Sequence, residues 1–240
     1  MTKLGTPSAI MLDLDDTIVA FDILTDKCWE ETLNEFSDEL KVVGAKEFKR
    51  AILKRSSWFW GDKERHKQWR RDLPRARRNI VDLVLKDYSI ENESLANCIA
   101  DRYSAIKDEM LYLFPGAKET IEKIRDAGVK LALVTNGGSK SQRGKIERFG
   151  LSDLFDSVLI EEEQKIGKPE AEVYRRALKY LNSSPEESWM VGDNLEWDVL
   201  SPQSIGIKGV WVNTKNEDLD PAVHPYLTVK SLPEIERYLF

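Results

Sequence analysis

Short apolar runs alternate with amphipathic segments from Pro115 to the end of the 240-residue chain. The apolar runs have the length of strands, and the segments between them repeat their apolar residues at helical spacing. Strands that alternate with helices indicate a parallel sheet covered by helices on both faces. The predicted strands are Val129–Val134, Ser157–Ile160, Trp189–Val191 and Gly209–Val212, and the predicted helices are Ala117–Ala127, Ser139–Phe149, Glu170–Leu181, Glu196–Ser204 and Leu232–Tyr238.

This alternation is absent between residues 21 and 111, where the sequence is charged, rich in Trp and helical in its period. The predicted helices there are Lys27–Glu39, Ala45–Lys54, Arg75–Lys86 and Ser94–Asp108. We therefore predict an α/β protein with a Rossmann-like parallel sheet, helices on both faces and an inserted all-helical domain. The α/β part comprises residues 1–20 and 112–240, and the insert comprises residues 21–111.

The first predicted strand, Ile10–Leu14, runs directly into acidic residues: Asp13, Asp15 and Asp16. A buried carboxylate is unfavourable unless it is paired, hydrogen-bonded or bound to a metal. In an extended chain Asp13 and Asp15 point to the same side. They are therefore candidates for nucleophilic and acid/base work, for a Mg²⁺ site, or for both. The alternative is an ordinary strand exit, since Asp is common in turns.

Polar residues follow the other predicted strands at the same edge of the sheet, where parallel sheets bind their ligands. Each of these residues alone is compatible with a turn or a solvated loop, but together they predict one site. They are Thr135, Asn136 and Gly137 after one strand, Asp193 with Asp198 after another, and Lys168 before the helix Glu170–Leu181.

This set suits phosphoryl transfer. A phosphate and an attacking carboxylate repel each other by roughly 4 kcal/mol per unit-charge pair at ~4 Å and an effective dielectric of 20, so cations are required. Asp13, Asp193 and the backbone around Asp15 are candidate Mg²⁺ ligands.

Lys168 supplies a second positive charge, and the Thr135 hydroxyl with the amides of Asn136 and Gly137 can donate to phosphate oxygens. Asp13 would then attack phosphorus and form an aspartyl-phosphate. Asp15 would protonate the leaving alcohol and later deprotonate the hydrolytic water.

Four sequence motifs that contain these residues resemble, in the same order along the chain, the four motifs of the haloacid dehalogenase-like hydrolase superfamily. They are Asp13-Leu14-Asp15-Asp16-Thr17, Val134-Thr135-Asn136, Lys168-Pro169 and Gly192-Asp193-Asn194-Leu195-Glu196-Trp197-Asp198. The resemblance implies a phosphatase with Asp13 as nucleophile, Asp15 as general acid/base, and Thr135 and Lys168 as phosphate ligands.

The same resemblance implies that Asp193 is a Mg²⁺ ligand, that Asp198 supports the metal site or Lys168, and that the helical insert is a cap. The chain is similar to the branch that contains N-acylneuraminate-9-phosphatases and pyrimidine 5′-nucleotidases. It departs from its relatives at Pro202, where we expect the helix to start late or to kink.

Other functions on this fold remain alternatives. A 2-haloacid dehalogenase shares the Asp nucleophile but needs neither Mg²⁺ nor Asp15. A phosphomutase would use the same aspartyl-phosphate and return the phosphoryl group to a sugar. A receiver domain lacks the Asp-x-Asp spacing, and a catalytically silent binding or regulatory protein is the alternative from another class.

The amino-acid composition limits the classes of partner that the chain is expected to bind. The chain carries 36 Lys and Arg against 42 Asp and Glu, a net charge of −6, whereas nucleic-acid-binding domains are usually strongly basic. Cys28 and Cys98 are too few for a disulfide framework, and no stretch approaches the ~20 apolar residues of a membrane span. We predict a cytoplasmic protein that binds a small phosphorylated metabolite rather than a nucleic acid polymer or a membrane. The oligomeric state is left open.

Two features of the insert have competing interpretations. The segment Arg65–Arg78 holds seven basic residues and one acidic residue, which either steer an anionic substrate or form a solvated face. The aromatic residues of Trp58-Phe59-Trp60 and Trp69 either stack on a substrate ring or pack the core of the insert.

Overall fold

Six parallel strands form the sheet of this computed structural model, which describes residues 5–240. The spatial order is β3-β2-β1-β4-β5-β6. The strands are β1 (Ala9–Leu12), β2 (Lys130–Thr135), β3 (Ser157–Ile160), β4 (Ser188–Gly192), β5 (Lys208–Val212) and β6 (Leu227–Val229). The order reverses between β1 and β4, the kind of switch point at which doubly wound sheets bind ligands.

The register of the central strands places their carboxyl ends side by side. Leu12 of β1 pairs with Leu133 of β2 on one side and with Val191 of β4 on the other. All four residues of β1 are buried, as expected for a parallel strand covered on both faces. The residues that follow β1, β2 and β4 therefore start from the same edge of the sheet.

The chain folds into two units. One contains the described residues up to Ala20 together with Tyr112–Phe240, and the other is Phe21–Leu111. The regular elements of the second unit are all helices, as its period predicted. Its helices are α1 (Thr25–Glu35), α2 (Ala45–Gly61), α3 (Lys63–Trp69), α4 (Leu73–Asp87) and α5 (Glu93–Met110).

The helical unit has its own apolar core. Trp29 of α1 and Tyr103 of α5 stack with their ring centroids 3.8 Å apart, and Phe48 and Ile52 of α2 are fully buried in the same cluster. Side chains at the N-termini of three helices accept hydrogen bonds from backbone amides: Asp62 for α3, Asp72 for α4 and Asn92 for α5. Such caps satisfy amides that have no partner within the helix.

The remaining α-helices among the described residues belong to the α/β unit. They are α6 (Ala117–Asp126), α7 (Ser139–Arg148), α8 (Glu161–Gln164), α9 (Ala171–Leu181), α10 (Ser201–Gln203) and α11 (Glu236–Leu239). Helix α9 buries Val173, Tyr174, Ala177, Leu178 and Leu181 in a core that also contains Met11 and Val134 of the sheet. This apolar stripe recurs at helical spacing, and it fixes the loop before α9 against the centre of the sheet.

The α/β fold predicted from the sequence is confirmed, and the differences are local. Strand β6 and the helices α3 and α8 were not predicted. The helix expected at Glu196–Ser204 is a π-helix, Leu195–Leu200, followed by α10, whose first turn contains Pro202. Pro202 lacks the amide that would continue the hydrogen-bond ladder, so the change of helix type occurs where a kink was expected.

Within the described part of the chain, each helix is too short or too polar to cross a lipid bilayer.

Candidate active site

Lys168 joins two of the predicted acidic residues. Its Nζ lies 2.8 Å from Oδ1 of Asp13 and 2.7 Å from Oδ1 of Asp198. The Lys168 side chain is 1% exposed and that of Asp198 is fully buried. Burial alone would lower the pKa of Lys168, but the charges of Asp13 and Asp198 raise it. The lysine is therefore held as a cation between two carboxylates.

The backbone of Lys168 is fixed by Asn136, the residue after β2. The Lys168 N–H donates to Oδ1 of Asn136, and Nδ2 of Asn136 donates to the Lys168 carbonyl, both at 2.8 Å. A side-chain amide that satisfies both backbone groups of one residue mimics a neighbouring strand. The Asn136 side chain thus positions Lys168, whereas the sequence predicted substrate contact through the Asn136 backbone amide, which remains a prediction.

Asp198 is held by the loop after β4. Its Oδ2 accepts the backbone N–H of Asn194 at 3.0 Å, and its Oδ1 accepts Lys168. A Cβ atom at Gly192 would overlap the Asp198 carboxylate. Only glycine at this strand end therefore leaves room for that carboxylate. Asp198 therefore supports Lys168, one of the two roles that the family resemblance implied for it.

Asp13, Asp193 and Asp198 offer a cluster of carboxylate oxygens. One oxygen from each lies within 4.8 Å of the other two. Burial raises the pKa of Asp13 to about 7 against the lowering effect of Lys168. Burial, followed by the charges of Asp13 and Asp198, raises the pKa of Asp193 to about 9. The negative charge of the three carboxylates therefore exceeds the positive charge that Lys168 contributes.

This donor set fits a hard divalent cation. Mg²⁺ prefers oxygen ligands and is usually held by one or two carboxylates with waters and substrate oxygens. Both oxygens of Asp198 already accept hydrogen bonds. Asp13 and Asp193 are therefore the side chains of this cluster that suit Mg²⁺. The carboxylate of Asp15 is not part of the cluster among the described residues.

The raised pKa of Asp193 makes stability depend on pH in the absence of metal. An unfolded chain titrates this carboxyl near pH 4, so between about pH 4 and pH 9 the folded protein binds more protons and loses stability as the pH rises. The expected loss is about 1 kcal/mol per pH unit. Asp193→Asn cannot ionise there, so its melting temperature in EDTA should rise relative to wild type between pH 5 and pH 9. If the melting temperatures of wild type and Asp193→Asn changed in parallel with pH across this range, the inferred excess of negative charge in the cluster would be refuted.

Asp15 is held by helix α7 rather than by Lys168. Nζ of Lys145 lies 2.6 and 2.8 Å from the two Asp15 oxygens. Nε2 of Gln142 lies 3.1 Å from Oδ2 of Asp15 and 2.6 Å from Oγ1 of Thr135. Asp13 and Asp15, predicted to face one site, are thus bonded to different lysines.

The segment after β2 is hydrogen-bonded to helix α8, which follows β3 directly. The Gly137 N–H donates to Oε2 of Glu161 at 3.0 Å, and the Ser139 N–H donates to Oε2 of Glu162 at 2.6 Å. A phosphate that took the Gly137 amide would have to displace Glu161. The prediction that Gly137 donates to substrate therefore requires an exchange of hydrogen-bond partners.

Three residues of this arrangement were not predicted from the sequence: Gln142, Lys145 and Glu161. Gln142 and Lys145 stand at i and i+3, on the same face of α7, and both are buried beside Ile146. Two polar residues at inward positions of an amphipathic helix were the available signal. Glu161 had no comparable signal, because it is the first of three consecutive glutamates and only the folded chain distinguishes the buried one.

The aromatic and basic residues of the insert mostly serve its own structure. Phe59 is buried with Ala76 and Ile80, and Trp60 and Trp69 pack against them. Arg65 donates to the carbonyls of Trp58 and Phe59, each at 2.7 Å. These contacts favour the packing interpretation over substrate contact for this group. Contact of substrate with Trp58, whose side chain is largely exposed, remains a hypothesis.

The fold and this site define a Rossmann-like α/β protein whose central strands end in carboxylates bonded to a buried lysine. The chain belongs to the haloacid dehalogenase-like hydrolase family, since a sequence model of that family matches residues 7–206. This confirms the family resemblance found in the motifs.

Curated relatives share part of the chain. It is 40% identical over 123 residues to a phosphoserine phosphatase of Thermus thermophilus, covering 51% of this chain and 49% of the relative. It is 33% identical over 150 residues to the pyrimidine 5′-nucleotidase YjjG of Escherichia coli, covering 62% of each. The chain thus spans about half to three fifths of the length of these relatives.

Among solved structures, the fold is similar to that of the HAD-hydrolase YfnB from Bacillus subtilis, which was determined bound to magnesium. The TM-score is 0.74 with 21% sequence identity, over 98% of this chain and 99% of the other. A likeness at this identity concerns the fold alone.

Proposed function

We propose that this protein is a Mg²⁺-dependent phosphatase that hydrolyses a small phosphate monoester through an aspartyl-phosphate on Asp13. The observation that carries the proposal is the buried pairing of Asp13 with Lys168, which Asp198 holds from the other side. A carboxylate nucleophile needs positive charge beside it when it approaches a phosphate dianion.

In the first step the Asp13 carboxylate attacks phosphorus and the bond from phosphorus to the alcohol oxygen breaks. Asp15 gives the departing oxygen the proton that it took from water in the second step of the preceding turnover, so the products are the alcohol and the aspartyl-phosphate. Lys168 stays charged throughout, because the charges of Asp13 and Asp198 raise its pKa. The Thr135 hydroxyl, which accepts from Gln142, is assigned to the phosphate oxygens as a donor.

In the second step water attacks phosphorus and Asp15 takes its proton, which returns Asp13 as a carboxylate and releases inorganic phosphate. Mg²⁺, held by Asp13 and Asp193, would offset the negative charge that these residues and the phosphate bring together. The raised pKa values of Asp13 and Asp193 support this need for a cation.

The substrate class is proposed from the relatives' names and from the chain's organisation. The relatives include a phosphoserine phosphatase and a pyrimidine 5′-nucleotidase, names that denote small phosphate esters as substrates. We assign residues 21–111 the role of the cap that selects the leaving alcohol. This assignment rests on the insertion of the helical unit in the chain soon after the first strand.

The test is release of inorganic phosphate from a panel of sugar phosphates, nucleoside monophosphates, phosphoserine and N-acylneuraminate 9-phosphate. We expect turnover of at least one compound with Mg²⁺ and a decrease of at least about 10²-fold in EDTA, because the cation supplies several kcal/mol of charge stabilisation. Added Mg²⁺ should restore the rate.

Two further arms separate the alternative functions. Halide release from a 2-haloacid without Mg²⁺ would identify a dehalogenase. Transfer of phosphate between positions of a sugar phosphate, without net release, would identify a mutase. Either result, or inactivity toward the whole panel, would refute the proposed phosphatase.

A further inference from the structure

Helix α7 directs polar side chains inward. It buries three side chains, of which Gln142 and Lys145 are polar and only Ile146 is apolar. The exposed fractions of Gln142 and Lys145 are 2% and 4%. A buried lysine is unfavourable unless its ammonium finds partners. The face of α7 therefore needs an explanation other than packing.

The partners are two side chains assigned to the reaction. The Lys145 ammonium donates to both oxygens of Asp15. The Gln142 amide donates to Asp15 and also to the Thr135 hydroxyl. One amide group thus connects the acid/base carboxyl to a phosphate ligand on the neighbouring strand.

This pair fixes the conformation of Asp15. A carboxyl bonded through both oxygens to one ammonium loses its freedom to rotate about the bond to Cβ. Because α7 follows β2 after three residues, the helix that holds Asp15 is connected directly to the strand that ends in Thr135. The positions of the two groups are therefore coupled.

An ion pair that served only to stabilise the fold would not explain why Lys145 is buried beside Asp15. The Asp15 side chain is 27% exposed, whereas that of Lys145 is 3% exposed. Solvent could stabilise Asp15 without a buried partner, and an apolar residue at position 145 would suit the core better than a lysine. Burial of Lys145 is therefore better explained by a function that depends on the position of Asp15 than by a contribution to stability.

We propose that Lys145 and Gln142 are positioning residues that hold the Asp15 carboxyl and the Thr135 hydroxyl in the arrangement that both phosphoryl-transfer steps use. This inference rests on the proposed phosphatase function. Lys145 acts on Asp15, so it should affect kcat. Gln142 also acts on Thr135, so it should affect KM as well.

The first arm is steady-state kinetics on the best alkyl phosphate of the panel. Lys145→Met should lower kcat at least about 10-fold, within the 10²–10⁴ that a positioned general acid contributes, with KM changed less than about threefold. Lys145→Arg keeps a cationic donor and should recover part of the loss. Lys140→Met, an exposed lysine on the same helix, is the matched control and should behave as wild type.

The second arm uses an aryl phosphate, whose leaving group departs without a proton. Lys145→Met should then release phenol in a rapid burst of about one equivalent and continue slowly, because the water step still needs Asp15 as base. Loss of folded protein lowers both phases together and produces no burst. Gln142→Leu, a near-isosteric change, should raise KM for both substrates.

A Lys145→Met protein with wild-type kcat would overturn the inference. The inference would also be overturned if Lys145→Met lost the same fraction of kcat on both substrates, in proportion to a lower folded fraction measured by thermal unfolding. In that case no burst would be seen, and Lys145→Arg would recover none of the loss. If Lys145→Met does not fold, an unchanged KM and kcat in Gln142→Leu would overturn it. Absence of turnover in wild-type protein would refute the proposed function itself, so the two failures are distinguishable.

Discussion

Replacement of Asp13 by Asn is expected to abolish turnover and to leave the fold intact. A neutral amide is a poor nucleophile, so phosphate release should decrease at least about 10³-fold, as for other nucleophile replacements. Lys168 keeps Asp198 as a partner at 2.7 Å, and the cluster loses a charge that burial disfavours. Thermal unfolding should therefore occur at the wild-type temperature or slightly above it when measured above pH 7.

The measurements are phosphate release and circular dichroism on the same preparations. Asp156→Asn is a suitable control, because this carboxylate lies in the same unit and pairs with Lys130 at 3.0 Å, away from the strand ends of the site. Full activity in Asp13→Asn would contradict the assignment of the nucleophile. Inactivity accompanied by unfolding would leave Asp13 with a structural role and would contradict the expected retention of the fold.

Replacement of Lys168 by Met is expected to impair both activity and stability. It removes the ammonium from Asp13 and from Asp198, a carboxylate without solvent exposure. Breaking a buried pair by removal of one partner destabilises by about 3–5 kcal/mol, which corresponds to a melting temperature lower by roughly 10 °C in a chain of this size. Phosphate release should also decrease at least about 10²-fold, because Asp13 loses its cation.

The double variant Lys168→Met/Asp198→Asn separates the two effects. It removes the uncompensated charge of Asp198, so part of the lost stability should return while activity does not. Lys179→Met, an exposed lysine on α9, serves as the control for loss of one positive charge. A Lys168→Met protein as stable and active as wild type would contradict the geometry of the site.

The strand ends were predictable because the rule that governs them is geometric. In a parallel sheet the carboxyl ends meet at one edge, so Asp13, Thr135 and Asp193 could be assigned to one site before any distance was known. Which strand ends lie side by side depends only on strand order and register. The pairing of Leu12 with both Leu133 and Val191 produces that register.

The partners of these residues were not predictable to the same degree. That Lys145 pairs with Asp15 depends on how α7 lies on the sheet, which hydrophobic periodicity does not specify. Strand β6 was missed because it has three residues, of which Thr228 is exposed, too few for an alternating pattern. The exchange of hydrogen bonds between Asn136 and Lys168 depends on a loop-to-loop contact across 32 residues of sequence.

The helical unit shows why composition alone misleads about substrate recognition. A run of basic residues in an acidic chain suggests an anion site, yet Arg78 forms two hydrogen bonds to Asp101, at 2.7 and 2.8 Å, and Arg77 donates to Ser104 at 2.9 Å. These guanidinium groups connect α4 to α5. An exposed ion pair such as that of Arg78 with Asp101 contributes little to stability, but these contacts engage the guanidinium groups that a substrate would need.

The central claim is that Asp13 carries the phosphoryl group during turnover. The most direct test is to mix wild-type protein, Mg²⁺ and the best substrate of the panel, quench in acid within the turnover time, and map the adduct by peptide mass spectrometry. We expect one phosphoryl group on the peptide that contains Asp13, and none on that peptide in Asp13→Asn. A phosphoryl group on another residue, or rapid turnover without any adduct in the steady state and in single-turnover quenches, would contradict it.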